Sequence, residues 1–208
     1  MGYTFHYFPL RAVGEPVRQL FKIAGKDFED KRITFEEWMA DVKPTMPFNQ
    51  LPVLELEDGT MIAQSAAIAR YLGKEFGILW GKNNLEAAKV DGFIDLYKDY
   101  YNEIRQFYYT ALGVLQGNLD ELYESVLVPA ADKFFALVEG RIEKEGHGYL
   151  VGSEISYADL VVCDHMVTLN NLRPEYLKKH PKLAGYQEKV YSHPALKKWL
   201  DERPEDKM

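Results

Sequence analysis

Residues 49 to 72, Asn-Gln-Leu-Pro-Val-Leu-Glu-Leu-Glu-Asp-Gly-Thr-Met-Ile-Ala-Gln-Ser-Ala-Ala-Ile-Ala-Arg-Tyr-Leu, leave this chain few options. Pro52 opens a short apolar strand of Val53, Leu54 and Leu56, and Asp58-Gly59 accommodates the positive φ angles of a tight hairpin turn. A second strand, Met61 to Ala63, then pairs antiparallel with the first. Gln64-Ser65 precedes Ala66, Ile68, Ala69 and Leu72, a helical pattern whose amino end the Ser65 hydroxyl is placed to cap. A helix that starts directly after a strand presents unpaired N–H groups and the positive end of its dipole. A carboxylate or phosphate is favoured there, with the Gln64 amide beside it. The same residues equally suit an ordinary hairpin and a capped helix with no ligand. Pro52 donates no hydrogen bond, and X-Pro bonds are cis in only about 5–6% of cases, so the residues by themselves do not predict a cis bond.

Upstream, Tyr3 to Phe8 alternates aromatic and polar residues and reads as a strand ending at Pro9. Gly14-Glu15-Pro16 starts a helix in which Val17, Leu20, Phe21 and Ala24 share one face before Gly25 stops it. Phe28 to Ile33 forms a second strand, parallel to the first because a helix separates them. Thr34 and Glu37 have capping-box spacing, opening a short helix that carries Trp38 and Lys43 before Pro44 and Pro47 break the chain. Strand, helix, strand, helix, hairpin, helix over residues 1–76 resembles a thioredoxin-like α/β domain with a four-stranded mixed sheet.

Residues 77–84 have the glycines and asparagines of a linker, and residues 85–208 read as an all-helical second domain. Val90, Ile94, Tyr97, Tyr101, Ile104 and Tyr108 form the seam of a long helix. A second long helix runs from about Leu119 to Lys144 and bends at Pro129. Ser156-Tyr-Ala-Asp159 makes a capping box ahead of a buried helix from Leu160 to Leu172, which assigns Asp159 a structural role rather than that of a catalytic acid. His193-Pro194-Ala195-Leu196 starts the last helix, from which Trp199 folds back onto the bundle.

The net charge of −7, without basic runs, argues against a nucleic-acid or anionic-membrane surface. No apolar segment is long enough to span a bilayer and no secretory leader opens the chain, so a soluble, cytoplasmic protein is expected. The single cysteine, Cys163, sits in an apolar run and reads as a buried structural residue. The five histidines have no spacing that brings two to one metal, and no metal site is expected.

A cysteine-free thioredoxin-like domain joined to a helical bundle resembles the soluble glutathione transferases. The residues that carry the likeness are Tyr7-Phe8 closing the first strand, Trp38 and Lys43, Pro47-Phe48, Leu51-Pro52, Ala63-Gln64-Ser65, Ile68 to Leu72, Ser156 to Asp159, and His193 to Leu196. Together they look like the sigma class, and most like its worm-type members. The resemblance implies a homodimer that binds glutathione in the first domain and a hydrophobic electrophile in a cleft against the second. It implies a catalytic Tyr7 with Phe8 beside it. It also implies a cis Leu51–Pro52 bond presenting the Leu51 backbone to the cysteinyl part, and Gln64 and Ser65 on the γ-glutamyl carboxylate. Trp38 and Lys43 would hold the glycyl end, with Asn49 and Gln50 nearby. Unaided, the same residues also read as core aromatics (Tyr7, Trp38), a solvated charge (Lys43) and an exposed amide (Gln64).

The chain departs from that pattern at two places. Sigma-class members often carry an arginine near the tyrosine hydroxyl where this chain has Val13, with Arg11 the nearest arginine. An acid from the partner subunit's first long helix commonly reaches the glutathione amino group. Here Asp91, Asp95 and Asp99 share one helix face, without evident partners in their own chain, and Asp99 is the choice, with Asp95 close behind. Phe8, Val13, Phe107, Tyr108 and the C-terminal segment are the expected lining of the electrophile pocket. Besides conjugation, the resemblance allows a carrier of haem or other apolar anions, or a prostaglandin isomerase. The isomerase uses a tryptophan on the first long helix, which this chain lacks.

Overall fold

A computed structural model describes residues 2 to 204. Strand β1 (Tyr3–Tyr7) runs parallel to β2 (Glu29–Arg32) and antiparallel to β3 (Val53–Leu56), which pairs antiparallel with β4 (Met61–Ala63), giving the sheet order β2-β1-β3-β4. Strand alternation sorts the core: Phe5, Tyr7 and Leu54 face helices α1 (Glu15–Ile23) and α3 (Ser65–Phe76), whereas Val53 faces Ile33, Trp38 and Met46. The mixed four-stranded sheet and the helical second half agree with the sequence reading.

Local details differ. Only Gly59 of the Asp58-Gly59 pair takes a positive φ, 83°, because Leu56 and Thr60 close a three-residue loop rather than a two-residue turn. The Thr34–Glu37 capping box forms, but α2 (Phe35–Glu37) is a single turn that widens over Trp38–Val42 into a turn with i to i+5 bonding. The Ser65 hydroxyl caps nothing: Gln64 holds the N-cap position of α3 and Ser65 is its first residue.

The helical half begins with α4 (Asn84–Ala111), whose N-cap Asn83 accepts from the N–H groups of Leu85 and Glu86. Between α3 and α4 the chain is pinned rather than loose. Trp80 is buried, stacks on Tyr157 at 5.4 Å and donates to Asp91 at 3.0 Å; Arg70 reaches the same carboxylate oxygen at 3.0 Å. Asp91 therefore has partners within its own chain, and Asp95 lies 3.5 Å from Lys98, contrary to the unpartnered acidic face read from sequence.

Helix α5 (Leu119–Leu122) passes through a wide turn, Tyr123–Leu127, into α6 (Val128–Glu145). Pro129 explains that turn, since its ring crowds the carbonyl four residues back and the wider loop makes room. Helix α7 (Tyr157–Leu172) is the buried centre, followed by α8 (Pro174–Leu177), α9 (Pro181–Tyr191) and α10 (Pro194–Glu202). Cys163 on α7 is buried and its thiol is pushed well up by burial, in keeping with a structural residue. No helix among the described residues is long and apolar enough to cross a membrane. Trp199 folds back, but onto α1 through Glu15 rather than onto the bundle.

Asp159 is fully buried and accepts from the Leu150 and Ser156 N–H groups, the Ser156 hydroxyl and the Tyr186 hydroxyl, tying the 148–156 loop and α9 to α7. Removing it strands several buried donors, each costing about 1–3 kcal/mol. Asp159→Ala should destabilise the protein by about 3 kcal/mol or more in chemical denaturation. A loss under about 1 kcal/mol would show that water replaces the carboxylate.

Candidate active site

Tyr7 closes β1 and its ring lies against Gly14, the residue before α1, so closely that a Cβ on Gly14 would run into the ring. Gly14 has an ordinary helical backbone, φ −85°, so it is the ring and not the backbone that requires glycine. The Val13 backbone N–H is near enough to the Tyr7 hydroxyl to pull its pKa down. Tyr7 is 5% exposed, and burial, then the neighbouring Tyr101 hydroxyl, push its pKa well above the ordinary value, against the pull of Arg18 and the Val13 N–H. It is a neutral phenol at every physiological pH, and so a hydrogen-bond donor.

Where sequence suggested Arg11 as the nearest cation, the structure supplies a different one. The Arg18 guanidinium is wholly buried 5.7 Å from the Tyr7 ring centroid, whereas Arg11 turns toward Asp164 at 3.6 Å. Arg18 was missed by sequence reasoning, although Glu15 three residues before it on the same helix was the signal.

A cleft of about 380 Å³ opens between the two halves of the chain. Leu51, Pro52, Gln64 and Ser65 line its first-half side together with Ala12 and Val13. The Leu51–Pro52 bond is cis. Gln64 has φ 74° and ψ 119°, a conformation costly for a non-glycine residue, at the point where α3 starts beside the cleft. Its amide donates to the Gln50 side chain at 2.9 Å, bringing Gln50 to the same corner. Phe8 stands edge-on to Trp38 at 5.8 Å, and both pack beside Leu51 in the cluster below β3. Lys43 and Asn49 are exposed on the loop leading into this corner. Asp99 is exposed and does not line its own cleft, although its neighbour Lys98 does.

The second-half side is more polar than expected. Tyr108 lines it and Val13 lines the facing side, both as anticipated, but Phe8 and the described C-terminal residues do not line the cleft, and Phe107 is wholly buried in the core. Tyr97, Tyr101, Asp164, His165 and Thr168 take their places. His165 contacts the Tyr100 hydroxyl at 2.9 Å, and burial lowers its pKa to about 3, so the imidazole is neutral. The α7 residues were missed because an apolar run hides which polar side chains face a cavity. Among the described residues, no three His, Cys, Asp or Glu side chains converge as a metal would require.

Residues 15–75 match the family model for the glutathione S-transferase N-terminal domain, and residues 98–203 match the model for its C-terminal domain. The chain belongs to the glutathione S-transferase family. This transferase is 43% identical over 203 residues to probable glutathione S-transferase 8 of Caenorhabditis elegans, covering 98% of this chain and 97% of the relative. The structure of a monomeric glutathione S-transferase from Necator americanus, Na-GST-3, superposes with a TM-score of 0.94 at 42% identity over the full length of both chains. A Nu-class transferase from Haemonchus contortus gives 0.89 at 42% identity, over 100% of this chain and 99% of that one. The prostaglandin synthase D of Nilaparvata lugens gives 0.86 at 29%, over 99% and 100%. The transferase is therefore an enzyme whose relatives use glutathione.

Gly14→Ala tests the packing of Tyr7 directly. The forced overlap should cost about 1–3 kcal/mol of stability and lower activity with any electrophile by about tenfold. Unchanged activity would mean that the ring pose does not matter to turnover.

Proposed function

We propose that this enzyme conjugates glutathione to hydrophobic electrophiles, with the Tyr7 hydroxyl donating a hydrogen bond to the glutathione sulfur. The observation that carries the proposal is a buried phenol kept neutral beside a cleft whose two walls differ in kind: backbone and amide groups on one, aromatic side chains on the other. Glutathione is an extended anion that needs a carboxylate site, backbone pairing and a cation at its far end. The start of α3 with Gln64 and Ser65 suits the γ-glutamyl carboxylate, the Leu51 backbone the cysteinyl part, and Trp38, Lys43, Asn49 and Gln50 the glycyl end. Phe8 supports Trp38 from behind. We further propose a sigma-class, cytoplasmic homodimer in which Asp99 of the partner subunit meets the glutathione amino group, and a division into domains at residues 1–76 and 85–208. Conjugation is preferred to the isomerase reading because none of Trp38, Trp80 and Trp199 is on α4 or lines the cleft.

An ordinary thiol with pKa near 8.5 is only about 3% ionised at pH 7, and lowering it by roughly two units takes about 2.7 kcal/mol. A hydrogen bond to the thiolate and the nearby α3 dipole supply energies of that order. Tyr7→Phe should bind glutathione nearly as before while losing about tenfold to a hundredfold in rate at neutral pH. Because the lost group favours the thiolate, the deficit shrinks as pH rises toward the free thiol's pKa; a rate unchanged at every pH would sink the role of Tyr7.

Gln64, Lys43 and Asp99 touch no reacting atom in this reading. Alanine at each should raise KM for glutathione several-fold, about 3–30-fold, with kcat nearly constant. An unchanged KM for all three would show that glutathione lies elsewhere.

A further inference from the structure

Two donors from the end of the described chain converge on one oxygen of Glu15. The Trp199 indole N–H donates at 2.7 Å and the Arg203 guanidinium at 2.8 Å to Oε1, while Arg18 stands 3.5 Å from Oε2. Glu15 is 1% exposed, so its carboxylate has no water to fall back on and follows its donors. The Lys22 ammonium sits 4.8 Å over the Trp199 ring, fixing the indole from the other side. Arg203 also lies 3.5 Å from Asp164 on the cleft wall, and Asp164 faces Arg11.

Glu15 is not a remote anchor. It follows Gly14, whose backbone bears the Tyr7 ring, and it stands two residues after Val13, whose N–H lies near the Tyr7 hydroxyl. The turn is short and stiff: the Arg11 carbonyl accepts from both the Gly14 and Glu15 N–H groups, at 3.0 and 2.9 Å. Moving the Glu15 side chain therefore moves the groups that aim the phenol. Neither Trp199 nor Arg203 lines the cleft; Trp199 reaches it through that turn, and Arg203 through the turn and through Asp164.

We propose that Trp199 and Arg203 are positioning residues for Tyr7, clamping the Glu15 carboxylate so that the turn from residue 11 to 15 holds the phenol in one pose directly behind Val13, which lines the cleft. The inference rests on the reading of Tyr7 as the donor to the glutathione sulfur. The charged and titratable groups around the clamp are Arg18 and Lys22 on α1, Arg203 after α10, Tyr191 at the end of α9, and Asp164 on α7 with Arg11; those around Tyr7 are Arg18 and, from α4, Tyr101 and Tyr109. Trp199→Phe alters none of these charges, whereas Arg203→Gln removes one beside Asp164, so the neutral substitution separates position from charge. It changes where the hydroxyl is.

Trp199→Phe and Arg203→Gln each remove one donor and leave the other, together with Arg18, on Glu15, so the full-length variants keep a partner for the buried charge. Both should be assayed with glutathione and an activated aryl halide across pH, beside Tyr7→Phe and the two double variants. The expected result is a KM for glutathione within about twofold of the parent, kcat at pH 6.5 lower by about threefold to tenfold, and the acid limb of the pH profile shifted upward by about half a unit. In the Tyr7→Phe background the same substitutions should add almost nothing, because the group they position is gone. An unmoved pH profile in both single variants overturns the proposal, as does a loss of equal size in the Tyr7→Phe background, which would mark a general structural defect. If Tyr7→Phe is itself silent, the reading of Tyr7 fails and the clamp's assigned role falls with it, a result separable from an effective Tyr7 with an ineffective clamp.

Discussion

Arg18 carries a charge that no water reaches, and much of the first half of the chain is arranged to meet it. Its guanidinium takes Asp30 of β2 at 2.9 and 3.1 Å, the Leu10 carbonyl at 2.9 Å, the Phe8 carbonyl at 3.3 Å and Glu15 at 3.5 Å. A buried ion survives only where such partners satisfy its donors, and losing one partner leaves an uncompensated charge. The consequence is geometric. The segment leaving β1 has to wrap around the guanidinium, and in doing so it delivers Val13 and Gly14 to the two sides of Tyr7.

The cleft exists because two differently built halves meet along a seam that is polar at both ends. Near one end, Asp91 accepts from Trp80 and Arg70 while the Tyr157 N–H bonds the Leu79 carbonyl at 2.9 Å. Near the other, Glu15 and Asp164 take the C-terminal Trp199 and Arg203. Hydrogen bonds have preferred lengths and angles, so they hold the halves in one relation where apolar packing alone would let them slide. Between those fixed ends, Tyr97, Tyr101 and Tyr108 of α4 and Asp164, His165 and Thr168 of α7 face the backbone of Leu51 and Gln64 across open space.

The phenols and the imidazole of that wall stay polar without becoming charged, while its Asp164 faces Arg11 and Lys98 also lines the cleft. Burial pushes the Tyr97 and Tyr108 phenols well up, Tyr101 up to about 12, and His165 down to about 3, so every one of these side chains is neutral at physiological pH. A thiolate formed at the mouth of such a cleft would be the dominant mobile charge there. The Tyr7 phenol and the positive end of α3 are the groups disposed to stabilise it.

What the sequence determined by itself was whatever depends on near neighbours. Strand alternation in Tyr3 to Phe8, the Thr34 and Ser156 capping boxes, the proline starts of α1 and α10, and the hairpin before α3 all follow from spacings of two to four residues. The order of those elements is enough to name a mixed sheet followed by a helical bundle. Tertiary structure decided whatever depends on groups far apart in the chain. Ser65 lost the cap position because the backbone at Gln64 turns through a positive φ to meet β4, and Phe107 went to the core while His165 went to the cleft because rotation of α4 and α7 about their axes is set by packing, not by periodicity. Arg18 and Arg203 belong to the same class. A long charged side chain reads as solvated until the carboxylates that bury it, Asp30 and Glu15, are brought alongside from 12 and 188 residues away.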